Sequence, residues 1–241
     1  MARVLVVLAH PGPTSFCAAW AGASVAAADN SRLHDLHGIG FDPVERGALY
    51  GIDGPFDPLK AQESRPLPAD IAGLVEDVEW AEQIVFHFPM WWFGPPAILR
   101  GWFDRVLVHG RLHDVERRFD AGVCRGKRAL FCVTTGATAA ETGPGGKEGD
   151  ARLLVWPLAY ALRYCGFDIC EPVFAHGVHG YFEGAEQQAL ESRLSATLSA
   201  QAGVVARLAG RAVWPFNGDG DFEATGRLKP GAPVYWPFIA G

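Results

Sequence analysis

The stretch from Phe86 to Leu107 limits the possible folds of this chain more than any other. An apolar run, Gln83–Phe88, reads as a strand and is expected to break at Pro89, because proline cannot donate to a sheet ladder. Trp91, Trp92 and Phe93 follow on an irregular loop. A helix then opens at Pro95-Pro96, where proline suits the first turn, and carries Ile98, Leu99, Trp102, Phe103 and Val106 near the helical period. Large rings therefore stand at the carboxyl end of a strand, just before a helix. In an open α/β sheet that edge is where ligands bind. The rings suit the wall of a flat conjugated ligand, and equally a hydrophobic loop lying on the core.

The rest of the chain repeats the same alternation. Arg3–Ala9 is an unbroken apolar run, as a central parallel strand buried on both faces should be. An Ala-rich helix over Phe16–Ala28 follows, with Thr14 or Ser15 as N-cap. A short strand over Arg32–Leu36, a helix over Asp70–Ala81, a strand over Ala129–Val133 and a helix over Ala151–Tyr164 come next. Phe167–Phe174 reads as a fifth strand and Ala185–Leu208 as the final helix. The expected fold is α/β, a flavodoxin-like, doubly wound, five-stranded parallel sheet of order 2-1-3-4-5 with a C-terminal tail. Residues 1–211 form the main domain. Residues 212–241, rich in proline and aromatic side chains, must cover an apolar surface of that domain or of a partner subunit. Residues 38–68 hold no sustained period and read as a functional loop or a dimer arm. Residues 109–126 read as a lid.

Composition removes several function classes. The formal charge is −6 and no basic run appears, which argues against a general nucleic-acid binder. No apolar stretch reaches the length of a membrane span. The five cysteines include no Cys-x-x-Cys pair, as expected of reduced thiols in a cytoplasmic protein. His176-x-x-His179 has no carboxylate or thiol at ligand spacing, so no metal site is expected.

Three loops carry candidate chemistry at one sheet edge. The first offers His10, Thr14 and Ser15 at a helix N-terminus, where backbone N–H groups and the helix dipole favour an anion such as a phosphate. The second is the aromatic loop. The third, Thr134-Thr135-Gly136-Ala137-Thr138, leaves the fourth strand.

These segments resemble the NAD(P)H quinone oxidoreductases of the DT-diaphorase type. Phe88-Pro89-Met90-Trp91-Trp92-Phe93-Gly94-Pro95-Pro96 is close to that family's most recognisable segment, and Val155-Trp156-Pro157, Tyr164-Cys165-Gly166-Phe167 and Glu171-Pro172 echo later landmarks. The resemblance implies that His10, Ser15 and Phe16 contact the phosphate and ribityl part of a flavin. It implies that Pro89, Met90, Trp91, Trp92 and Phe93 line the isoalloxazine, and that Thr134, Thr135 and Gly136, with Ala137 beside them, meet its pyrimidine side. The long tail resembles the FAD-binding branch, with FMN as the alternative cofactor. It implies NAD(P)H as co-substrate and a homodimer with the active site near the subunit interface.

Two segments depart from the family. Where relatives carry a Tyr and a His that assist hydride transfer, alignment puts Thr142 and Glu148. The lid, aromatic in well-known members, here offers His113 and Val115. The expected activity is FAD-dependent, ping-pong transfer of two electrons from NAD(P)H to a quinone or similar small acceptor. The alternative is a flavin-bound regulatory subunit with little turnover, related to potassium-efflux ancillary proteins.

Overall fold

The computed structural model describes residues 2–239. The unbroken apolar run becomes β1 (Val4–Leu8), buried along its whole length. It is followed by α1 (Phe16–Ala26), β2 (Ser31–Asp35), α2 (Pro58–Ser64), α3 (Ala69–Trp80), β3 (Gln83–Pro89), α4 (Ala97–Val106), β4 (Arg128–Thr134) and α5 (Ala151–Tyr164). Two short strands, β5 (Asp168–Ile169) and β6 (Val173–Ala175), precede α6 (Gly184–Ala206). The sheet is parallel in the order β2-β1-β3-β4-β5, and β6 also pairs with β4. One apolar layer, with Trp102, Phe103, Val155 and Leu162, packs beneath α3, α4 and α5. The other, with Trp20, Leu130 and Val205, packs beneath α1 and α6.

Several expectations need correction. Pro89 does not break its strand but ends it, opposite Thr134. The missing donor falls past the end of the β1 ladder, which stops at Leu8 opposite His87, while on the other side Met90 N still donates to Thr134 O at 2.8 Å. The fifth strand is two strands. Cys170-Glu171-Pro172 interrupts it, and Val213 bridges to Cys170 from the tail.

The 38–68 segment is not a bare loop. It holds a 3-10 turn, Gly47–Tyr50, and α2, which is capped by Asp57 and starts on Pro58. It is also bolted to α4. Arg105 is fully buried. Its guanidinium donates to both carboxylate oxygens of Asp70 at 2.7 and 3.1 Å, to Glu45 Oε2 at 3.2 Å and to Asp42 O at 2.7 Å. Gly101 lets Pro43 cross the helix closely, since a Cβ there would meet Pro43 atoms at 2.3 Å.

Residues 109–126 are anchored as well, with Leu112 and Cys124 fully buried. The tail folds back on its own domain. Trp214 and Trp236 are buried against each other, Phe238 stacks on Trp156, and Trp214 Nε1 donates to Glu171 Oε2 at 2.7 Å.

A buried polar chain locks α6 to α1. Trp20 Nε1 donates to Gln201 Oε1 at 2.7 Å, Gln201 Nε2 donates to Ser24 Oγ at 2.8 Å, and Ser24 Oγ meets His87 Nε2 at 2.9 Å. Burial pushes the His87 pKa down to about 3, so the ring is neutral in the folded protein. All five cysteines are free and buried. Burial raises every thiol, Cys17 to about 11 and Cys124 to about 12.

Candidate active site

The adjacent β1 and β3 lie where strand order reverses, so their carboxyl ends open a crevice. At the first loop, Ser15 rather than Thr14 caps α1, its Oγ accepting from Ala18 N at 3.2 Å. Thr14 is exposed. The backbone N–H groups of Thr14, Phe16 and Cys17 find no acceptor among the described residues. They form the anion-seeking end of the helix. His10 Nδ1 accepts from Gly12 N at 2.9 Å, which leaves the ring's hydrogen on Nε2 as a donor. Burial lowers the pKa of His10 and favours this neutral form.

The aromatic loop is a tight reverse turn. Trp91 N donates to Gly94 O at 2.9 Å and Gly94 N to Trp91 O at 3.1 Å. Its two central residues, Trp92 (φ 49°) and Phe93 (φ 62°), are both left-handed. Such a turn normally takes Asn or Gly, and bulky rings there are strained. The rings do not lie on the core. Trp92 is 95% exposed, Phe93 55% and Trp91 44%. Of the two readings the sequence allowed, the core-covering loop is therefore excluded.

Across from this turn, Thr134 and Thr135 end β4, both buried. Thr134 Oγ1 contacts Cys17 Sγ at 3.4 Å, tying the third loop to the first helix. The N–H groups of Gly136 and Ala137 find no acceptor among the described residues. A cavity of about 280 Å³ lies between the two loops, walled by Met90, Trp92, Phe93, Thr135, Gly136, Ala137, Thr142 and Glu148 and floored by Ala151 and Leu154 of α5. The structure thus brings most of the second and third loops to one hollow.

The two departing positions lie in this wall. Thr142 Oγ1 donates its hydrogen to Thr138 O at 2.8 Å, so it braces the loop and has no proton to give. Glu148 is half-buried. Its neighbouring cations are engaged elsewhere, Lys147 with Glu141 at 3.2 Å and Arg152 with Glu171 at 3.4 Å. Glu148 has no ion-pair partner among the described residues.

His113 and Val115 are not in the wall. His113 Nε2 donates to Leu107 O at 3.0 Å, and its ring packs on His109 and Tyr164. Val115 is exposed and does not line the cavity. A residue the sequence reading passed over stands directly behind the cavity. His176 Nδ1 lies 3.0 Å from the hydroxyls of both Thr135 and Thr142. Its only sequence signal was the His176/His179 pair, which the fold splits, His179 Nδ1 accepting from Tyr181 N.

The family described as flavodoxin-like fold matches residues 2–198. The chain is 36% identical over 189 residues to the orangutan (Pongo abelii) ribosyldihydronicotinamide dehydrogenase [quinone], covering 70% of this chain and 79% of that one. It is 33% identical over 202 residues to rat (Rattus norvegicus) NAD(P)H dehydrogenase [quinone] 1, covering 78% and 74%. The chain belongs to the NAD(P)H quinone oxidoreductase family of flavodoxin-like proteins. Among solved structures, a Klebsiella pneumoniae protein provisionally named a quinone reductase superposes with a TM-score of 0.81 at 26% identity, over 95% of each chain. The site offers free amides at a helix N-terminus, exposed rings and a second pair of free amides opposite them.

Proposed function

We propose that the protein is an FAD-dependent NAD(P)H dehydrogenase that passes two electrons to a quinone or similar conjugated acceptor. The observation that carries this reading is the strained, solvent-facing Trp92-Phe93 turn opposite the free Gly136 and Ala137 amides. A backbone held off its preferred conformation with bare rings is an arrangement kept for a ligand. Bound FAD would supply the hydride chemistry of both half-reactions, donor first and acceptor second, as in a ping-pong cycle.

The chain's own groups divide the remaining work. The free amides of Thr14, Phe16 and Cys17, with His10 Nε2–H, hold the phosphates. Phe16 and Ser15 border the ribityl chain. Pro89, Met90, Trp91, Trp92 and Phe93 wall the ring and exclude water from one face. Thr134, Thr135, Gly136 and Ala137 orient its polar edge. Thr142 and Glu148 occupy the positions where relatives assist charge movement, and of the two Glu148 is the one able to exchange a proton. The purified protein is expected to be yellow and to release FAD in about one-to-one ratio with chain, as a flavin held by one site per subunit requires. A colourless protein that binds neither FAD nor FMN sinks the reading; FMN alone sinks only the choice of cofactor.

Trp92→Ala is expected to weaken flavin binding about fivefold to tenfold, the worth of a stacked ring beyond its area. His113→Ala should leave it nearly unchanged, since His113 packs under Leu107 and outside the cavity wall. Fluorescence titration of both variants checks this, and equal losses would misplace the ring.

The proposed assembly is a C2 homodimer, with the exposed Trp92, Phe93 and Val115 available to face a second subunit. Light scattering showing a monomer at micromolar concentration contradicts it. Flavin binding with negligible NAD(P)H-quinone turnover would favour the regulatory-subunit reading instead.

A further inference from the structure

His176 follows the last residue of β6 and has no part in the function proposed above. Its surroundings fix where its hydrogen must be. Thr135 Oγ1 donates to Ala137 O and Thr142 Oγ1 to Thr138 O, each at 2.8 Å. A hydroxyl has one hydrogen, so both are spent. Both oxygens nevertheless lie 3.0 Å from His176 Nδ1. Nδ1 must therefore carry a hydrogen and share it between them.

The rest of the ring's environment keeps it in that state. Burial, with the Arg193 charge adding to it, lowers the His176 pKa, so the ring is neutral at pH 7 with Nε2 bare. Phe174 stacks on it, with ring centroids 5.6 Å apart. The backbone makes the same link. Gly177 N donates to Ala137 O and Val178 N to Thr135 O, both at 2.9 Å, and Thr135 N donates to Ala175 O at 3.0 Å. The segment after β6 thus grips the loop after β4 from behind, while Gly136 and Ala137 keep their own N–H groups for the cavity.

We propose that His176 is a positioning residue that sets the ligand-facing wall of the cavity by donating one Nδ1–H to Thr135 and Thr142 together. The inference rests on the flavin reading above. It makes the imidazole the pin that holds two residues, 34 and 41 positions earlier in the chain, at the spacing the free amides require.

The test is titration of the flavin-free protein with FAD and FMN, with melting temperature recorded for each variant. His176→Leu removes the donor and leaves two buried oxygens short of a partner, so affinity should fall about tenfold. His176→Asn keeps an N–H donor and should recover a large part of the loss. Thr142→Val should weaken binding less, and combined with His176→Leu should add little, because both remove the same bridge. Nitrogen-15 NMR of the unaltered protein should find the neutral Nδ1–H tautomer of His176, a readout that survives even if His176→Leu does not fold. Parent-like flavin affinity in His176→Leu, independent multiplying losses in the double variant, or an Nε2–H tautomer would overturn the proposal. A parent protein that binds neither flavin instead overturns the reading on which it rests.

Discussion

Replacing Glu148 with Gln is expected to raise the midpoint potential of the bound flavin by tens of millivolts at neutral pH. The carboxylate lines the same cavity as Trp92, Phe93 and Gly136, and the two cations closest in sequence are paired with Glu141 and Glu171. A reduced flavin carries negative charge on its pyrimidine side, and an unpaired carboxylate nearby disfavours it. At an assumed separation of about 6 Å and an effective dielectric of about 20, the repulsion is roughly 3 kcal/mol. For a two-electron couple that is about 60 mV. Glu148 is only half-buried, so solvent screening makes this the upper figure. Potentiometric titration of the two proteins decides the matter. A midpoint unchanged within a few millivolts would put Glu148 outside the electrostatic reach of the ring.

The largest expected loss of stability follows Arg105→Ala. The fully buried guanidinium satisfies Asp70, Glu45 and the Asp42 carbonyl at once. Removing it strands those acceptors, which for a buried pair costs about 3–5 kcal/mol. Asp70 is partly exposed and can rehydrate, so the lower end of that range is expected. Arg105→Lys should recover little, because an ammonium cannot present the fork that grips Asp70 at two points. Urea denaturation measures both, and a loss below about 1 kcal/mol would contradict the assignment. Limited proteolysis should then cut first around 42–45, the part of the arm that Arg105 holds down.

The parts of the fold legible in the sequence are those governed by local pattern. The run at Val4–Leu8 and the helix Ala151–Tyr164 fall where the apolar residues put them, and the order of the sheet follows from the alternation of elements. What escaped depends on partners far away in sequence. The helix Pro58–Ser64 is short and polar and buries only Ala61, so it has no period to detect, although Asp57-Pro58 carried a start signal. Leu112 and Cys124 are isolated apolar residues in a polar run, which reads as a lid until the fold buries them. Gln201 looks like surface on a polar helix, yet it bonds Trp20 and Ser24. The candidate site could be sought as three loops because each carries its own residue types, and the fold brings residues of the second and third to one hollow. His176 was not, because its role lies in oxygens supplied by two other segments.

The buried, high-pKa thiols make the folded chain chemically quiet toward electrophiles. Only the thiolate attacks an alkylating reagent, and here burial suppresses both ionisation and access. Reaction therefore waits for the sulfur to reach water through opening of the surrounding structure. The labelling rate of each cysteine then becomes a clock for the layer that covers it: Cys17 and Cys132 for the packing of α1 and α6, Cys124 and Cys165 for the opposite face.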